Sequence, residues 1–244
     1  MSTIYILWLR QLKRYSRSRS RIVGSIGQPL LFLLALGFGF GPIYQKAGGG
    51  DYLQFLAPGV IAMGILFTAI FSGIEIIWDR QFGFLKETLI APVPRLHIMI
   101  GRTLGGATVA TLQGFIVFFI TLLVGFRPHV APLALAFVFM ALIAILFTAL
   151  GTAIASVLED MQGFQLIMNF LVMPVFFLSG ALFPLQGLPR PLMLLAALDP
   201  LTYGIDGLRG TLIGASRFNL SLDVIVLVAL AFLFMGIGSY LLKI

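Results

Sequence analysis

The chain has 244 residues, 59% of them hydrophobic and 10% charged, with 23 Phe and no Cys, against ~25% charge in soluble domains. A mean hydropathy of +1.06 is more apolar surface than a water-soluble fold can hide, which excludes a soluble enzyme; scarce charge excludes a disordered chain, and the lack of Cys a disulfide scaffold. A polytopic membrane protein remains, and the formal charge of +7 then reports contact with anionic lipid rather than nucleic acid.

From the N-terminus, Ile4, Leu7, Trp8, Leu12 and Tyr15 recur at helical spacing while Arg10, Lys13, Arg14 and Arg17 take the other face. This pattern predicts an amphipathic helix along the cytoplasmic interface, with Trp8 and Tyr15 at headgroup depth. The apolar stretch behind it is long enough to span and no small-residue cleavage site follows, so the segment is expected to be retained rather than removed as a secretory signal. A spanning helix needs ~20 mostly apolar residues. Six stretches qualify, at Ile22–Phe40, Phe55–Trp78, Thr103–Gly125, Leu133–Leu158, Phe164–Phe183 and Leu222–Leu242. Alternating strand-length segments are absent, which argues against a β-barrel.

Lys and Arg resist translocation and so orient the spans. Eleven of the sixteen fall on one side, namely Arg10, Lys13, Arg14, Arg17, Arg19, Arg21, Arg80, Lys86, Arg95, Arg102 and Lys243. Lys46, Arg127, Arg190, Arg209 and Arg217 fall on the other. Both termini are therefore expected in the cytoplasm.

Two connections carry more than a turn. In the segment from Asp79 to Arg95, Phe82, Leu85 and Leu89 line one helical face, and Pro92 and Pro94 stop the helix because proline lacks an N–H and disfavours helix in the residue before it. Such a helix suits either rest on the bilayer or a peg for a cytoplasmic partner, with Phe82 and Phe84 as anchors. The outer segment from Pro184 to Asp223 holds an apolar run, Leu192–Leu198, too short to span and bracketed by prolines and charges. It predicts helices that dip into the outer leaflet and return. Asp206 and Arg209, at i and i+3, are expected to pair there.

Chemistry is sparse. His97 and His129 both sit in loops, no Cys or His-Glu cluster offers a metal site, and no phosphate-binding G-x-x-x-x-G-K-[ST] loop occurs. Glycines at 37, 39 and 41, and at 101, 105 and 106, suit close helix approach. Glu75 is the deepest charge and is expected to reach the interface. One such carboxylate is thin support for a proton-coupled carrier or an ion channel.

Two motifs resemble the membrane subunits of the ABC-2 class of ATP-binding-cassette transporters, including the daunorubicin- and polysaccharide-exporter types. One is Asp79-Arg80-Gln81-Phe82-Gly83-Phe84-Leu85-Lys86-Glu87, continuing to Ala91-Pro92-Val93-Pro94-Arg95. The other is Leu178-Ser179-Gly180-Ala181-Leu182-Phe183-Pro184, with Pro189, then Asp199-Pro200-Leu201-Thr202-Tyr203-Gly204-Ile205-Asp206-Gly207-Leu208-Arg209. Lys86 stands where many members have Glu, with Glu87 following, and Asp199 replaces the commoner Asn. Leu178–Ala181 lies in an apolar span and is not the ATPase signature Leu-Ser-Gly-Gly.

The resemblance implies a single all-α transmembrane domain over 1–244. Residues 1–21 form the interfacial helix, 22–183 hold spans one to five with a coupling loop at 79–102, 184–222 form the outer re-entrant helices, and 223–244 the sixth span. It implies a homodimer in the cell membrane, seated on two copies of a separate ATPase that holds the ATP and Mg²⁺, with no cofactor on this chain. The coupling helix near Phe82–Ala91 would enter a cleft of that ATPase. The helix bearing Trp8, Arg10 and Arg14 would be a second contact, and Ser179, Gly180, Pro184, Pro189, Pro200, Tyr203, Asp206 and Arg209 would shape the outer exit. Efflux of a drug or lipid-like molecule is favoured. Export of a lipid-linked polysaccharide, for which Phe115, Phe118 and Phe119 are candidate stacking rings, is the alternative, and a stand-alone carrier or channel is the other.

Overall fold

The computed structural model describes residues 3–48, 50–90 and 92–242, and the side chains of all of these except 19–21, 86, 87 and 89. Ala91 and Lys243 lie outside the described residues, as do the side chains of Arg19, Arg21, Lys86, Glu87 and Leu89. Among the described residues all regular structure is helical: α1 (Thr3–Arg17), α2 (Arg19–Lys46), α3 (Tyr52–Phe71), α4 (Ile74–Gln81), α5 (Phe84–Ile90), α6 (Arg95–Val124), α7 (Leu133–Val157), α8 (Met161–Ile167), a π-helical turn (Met168–Val172), α9 (Met173–Leu178), α10 (Arg190–Leu198), α11 (Pro200–Ile213) and α12 (Leu220–Leu241). Six stretches are long and apolar enough to cross a membrane: Ile22–Lys46, Tyr52–Gln81, Arg95–Val124, Leu133–Val157, Met161–Leu178 and Leu220–Leu241.

The span of α3 and α4 is the centre of the bundle. Of its most apolar stretch 83% is buried, against 11% for α2 and 17% for α12, which therefore stand at the periphery. Leu56, Ile61 and Ile65 of α3 join Phe139, Phe147 and Ile143 of α7 and Ile205 and Leu208 of α11 in the core. Association in lipid depends on close packing rather than on escape from water, and small residues allow it. At the break between α3 and α4, a Cβ on Gly73 would sit 2.3 Å from the Gly151 carbonyl oxygen of α7, so the two backbones touch only because both positions lack side chains.

Several boundaries differ from the hydropathy reading, and α2 runs on to Lys46 rather than stopping at Phe40. The α6 helix begins at Arg95, well before Thr103, because Arg102 is neutralised within the bundle and does not mark the end of the apolar span. The fifth span ends at Leu178 rather than Phe183, where Gly180 turns the chain in the left-handed region at φ +75°. Its middle is a π-helical turn ahead of Pro174. Proline has no N–H to give the i−4 carbonyl and its ring clashes there, so the ladder opens by one residue. Of the glycine clusters, Gly101, Gly105 and Gly106 meet neighbours closely, whereas Gly39 and Gly41 face open space.

Candidate functional site

The conspicuous polar construction lies where α1, α4, α5 and α6 meet. Gly101 and Gly105 on α6 form a notch: a Cβ on Gly105 would fall 2.6 Å from Gln11, so α1 lies directly on the α6 backbone. The aromatic tips of α1 turn to α6. The Trp8 indole donates to Thr108 Oγ1 at 3.1 Å and the Tyr15 hydroxyl to Gln113 Oε1 at 3.1 Å. The reason is local supply, since α6 offers acceptors in register with both rings.

Docked this way, α1 projects its arginines over α4. Arg10 holds Asp79 with both arms of its guanidinium, at 2.9 and 2.6 Å. From the opposite side Arg102, itself 2% exposed, gives Nη2 to Asp79 Oδ2 at 2.6 Å. Arg14 stands 3.7 Å from Glu75 and 4.0 Å from Asp79. Glu75 is thus buried in a charge cluster and does not reach outward as expected. Three guanidinium groups face two carboxylates, and the buried one, Arg102, has Asp79 as its direct carboxylate partner. A buried charge is tolerated only when paired in this manner.

The same cluster seats α5. The Arg10 guanidinium lies 4.0 Å over the Phe84 ring, and Arg14 lies 4.9 Å over Trp78. Leu85 is buried to 1% exposure, while Phe82 in the turn before α5 is 84% exposed and Ile90 at its end 77%, so the α4–α5 corner is anchored on one side and apolar on the other. Gly83, at φ +79°, makes the turn between α4 and α5. Thr88 Oγ1 donates to the Phe84 carbonyl at 2.9 Å, and Pro92 follows the helix. Arg80 reaches away, donating to the carbonyls of Ser156 and Leu158 at the end of α7. Asp79 and Arg80 therefore lie behind the exposed face of α5 and tie it to three helices. A cleft of about 700 Å³ opens between α1 and α4–α5, lined by Ile6, Leu9, Lys13, Arg17, Phe82 and Phe84 among others.

At the far end of α3 the outer motif gathers around Arg209. Its Nη2 donates to the carbonyls of Gly180 at 2.7 Å, Ala181 at 3.3 Å and Phe55 at 3.4 Å, and its guanidinium lies 3.8 Å over the Phe55 ring. Burial lowers its pKa to about 10, with nearby Asp206 opposing the shift. The expected Asp206–Arg209 ion pair is not made. Asp206 instead accepts from the backbone N–H groups of Arg217 and Phe218 at 2.8–3.0 Å, closing the loop into α12, because those unpaired amides lie nearer than the guanidinium. Ser179 Oγ donates to the Phe176 carbonyl at 2.7 Å and accepts from the Ala181 amide. Pro189 precedes α10, and Pro200 opens α11 behind Asp199, whose carboxylate accepts from the Leu201 amide at 2.9 Å. Burial pushes the Asp199 carboxyl up to about 7. The Tyr203 hydroxyl donates to Ala197 at 2.8 Å while its ring stacks on Phe218. Pro184 lines an outer cavity of about 300 Å³ together with Arg209 and Arg217.

The residue reading missed Arg102, counted only as a loop cation, and Gln113, the fully buried acceptor for both Tyr15 and Ser25. The signal for Gln113 was a lone amide in an otherwise apolar span. Of the three candidate stacking rings, Phe115 and Phe118 pack on Phe137 at 4.7 and 5.9 Å, which leaves Phe119 as the exposed one.

This is a multi-pass helical membrane protein whose polar architecture is concentrated at the two ends of the bundle and contains no group of metal-ligating side chains among the described residues. The ABC-2 type transporter family model matches residues 2–213, and the chain belongs to that family of transport permeases. It is similar to Nodulation protein J of Rhizobium leguminosarum bv. viciae, 28% identical over 224 residues that make up 91% of this chain and 86% of that one. It is similar also to ycf38 of Cyanophora paradoxa, which carries a transport-permease name, at 29% identity over 89% of this chain and 79% of the relative. The ycf38 of Pyropia yezoensis is 32% identical over 79% of this chain and 68% of its own.

Proposed function

We propose that this chain is the pathway-forming subunit of an ATP-driven exporter. In this reading it works as a homodimer in the cell membrane with both termini cytoplasmic, and two copies of a separate ABC ATPase hold the ATP and Mg²⁺. The observation that carries the reading is the build of α5. It is anchored by Leu85 and by Arg10 over Phe84, presents Ile90 outward beside the exposed Phe82 of the preceding turn, and is cross-tied through Asp79 to α1 and α6. A helix with exposed apolar anchors and a stiff charged base suits insertion into a partner's cleft. Closure of the ATPase pair would then displace α5, and the cluster would pass that displacement to α1 and α6 as one body. The membrane subunit contributes differential contacts between states and no covalent chemistry.

The cargo is read as a hydrophobic or amphipathic molecule, drug- or lipid-like. The occupation of Phe115 and Phe118 by Phe137 supports this over stacking on a glycan. At the other end the α10–α11 hairpin, with Leu194 and Leu198 exposed on α10 and Leu201 and Leu208 buried on α11, suits a re-entrant element at the outer exit. The test is co-expression with an ABC ATPase, purification in mild detergent and ATP hydrolysis in lipid vesicles, using Phe82→Asp and Glu87→Arg. A two-plus-two assembly that both changes weaken, with the membrane dimer intact, supports the reading. An assembly indifferent to both places the contact elsewhere, and no ATPase association returns the stand-alone carrier.

A further inference from the structure

Between α2 and the α3–α4 span lies a cavity of about 370 Å³, within the 300–1,000 Å³ range of small-molecule sites. It is separate from the α5 cleft and from the outer cavity. Its walls are Phe67, Phe71, Ile74 and Trp78, with Gly24 and Pro29 of α2 opposite. Five polar side chains line it: Tyr15, Ser25 and Glu75 are engaged with Gln113 or Arg14, whereas Gln28 from the exposed surface of α2 and the buried Thr68 of α3 make no side-chain hydrogen bond among the described residues.

Thr68 is the telling residue. A helical threonine satisfies its hydroxyl on the carbonyl one turn back, as Thr88, Thr108, Thr111, Thr152 and Thr211 do here. Thr68 does not, and unlike Thr103 and Thr148, whose buried hydroxyls are also without a partner among the described residues, it lines a cavity. In an apolar surrounding an unmade hydrogen bond is costly, so a ligand that supplies the missing partner gains more there than in water. The charge in the wall is already compensated, because Glu75 lies 3.7 Å from Arg14. An ionic ligand would find no uncompensated counter-charge and would lose its hydration.

We propose that this cavity binds the uncharged polar head of an amphiphile, with hydroxyl or amide groups meeting Thr68 and Gln28 and an alkyl or aryl portion lying against Phe67, Phe71 and Trp78. The inference rests on the exporter reading only in naming this ligand as a form of the cargo; binding itself does not require the ATPase.

The experiment uses the full chain alone in phosphatidylcholine nanodiscs, with a monoacylglycerol carrying a diazirine on its acyl chain. Photolysis followed by peptide mapping is expected to label the 63–78 segment. Unlabelled monoacylglycerol should compete, and an alkyltrimethylammonium or an alkyl phosphate of equal chain length should not. Thr68→Val and Gln28→Leu are each expected to cut labelling about fivefold, the loss of one neutral hydrogen bond. Gln28 is exposed, so its variant keeps the test sound if Thr68→Val folds poorly. Labelling spread evenly over lipid-facing helices and indifferent to both variants would overturn the site. Preferential competition by the ammonium or the phosphate would overturn the ligand class. Failed labelling beside intact ATPase coupling removes this site and leaves the exporter; specific labelling without any ATPase partner does the reverse.

Discussion

Arg102 and Arg209 are two buried arginines at opposite ends of the bundle; the residues they meet on the α3–α4 span, Asp79 and Phe55, are 24 positions apart, roughly 36 Å of helix. The two arginines are held in different ways. Arg102 is answered by the carboxylate of Asp79, which also binds Arg10 and so joins α1, α4 and α6. Arg209 is answered by carbonyl dipoles of Phe55, Gly180 and Ala181 and by an aromatic face, which join α11 to a turn and to the start of α3. A charge paired with a charge makes a strong link that fails all at once when either partner goes. A charge cradled by several dipoles loses them one at a time. The first suits a part that must move rigidly, and the second a rim that must flex.

The sharpest way to break this contrast is Asp79→Ala, which strands Arg102 without its carboxylate. Loss of one partner of a buried pair costs about 3–5 kcal/mol, so folded yield and thermal stability in detergent should fall steeply. Adding Arg102→Met removes the stranded charge and should recover part of the loss. The next effect is at the other end. Arg209→Met forfeits carbonyl bonds at about 1–3 kcal/mol, and proteolysis should open the 179–184 turn while α1 stays protected. Arg10→Lys is milder, since it keeps the charge and loses the two-armed contact and the broad stacking on Phe84. ATPase coupling should drop severalfold with thermal stability nearly unchanged.

The effect at Asp199 is one of pH. Its folded pKa, about 7, lies above the ordinary 3.8, so the folded state binds the proton more tightly. The stabilisation is full below the unfolded value and is lost as pH rises toward 7. Asp199→Asn retains the acceptor for Leu201 without a charge. Its melting temperature should match the parent near pH 4 and exceed it at pH 8.

The spans were legible because apolar length alone dictates them, and α7 agrees with the hydropathy reading to one residue at its end. The π turn before Pro174 was not legible, since Pro29, Pro42 and Pro58 sit inside helices that keep their α geometry. The Asp79 cluster was not. Arg10 and Asp79 are 69 residues apart, and nothing local distinguishes a cation that faces lipid headgroups from one that closes a bundle. Orientation counting treated Arg102 as a loop charge, although burial makes it part of the core. The outer motif showed which residues matter but misled on their pairing, because helical spacing ignores the competing backbone amides of the α11–α12 loop. The single face expected from Phe82, Leu85 and Leu89 is not formed, because Phe82 lies in the turn before α5 and is exposed while Leu85 is buried, and the anchorage of Phe84 to α1 needed three dimensions.

In the proposed exporter, α5, α1 and the Asp79 cluster move as one body when a partner ATPase closes. The chain has no Cys, so single labels can be placed cleanly at Ile6→Cys and Ile90→Cys, both exposed positions. Spin-label distances would be read in the assembled complex without nucleotide and with ATP trapped. The account predicts an unchanged distance from Ile6→Cys to Ile90→Cys within a protomer and a changed distance between the two Ile90→Cys sites of the dimer. A shift of α5 relative to α1 within one protomer, with the distance across the dimer constant, would contradict it.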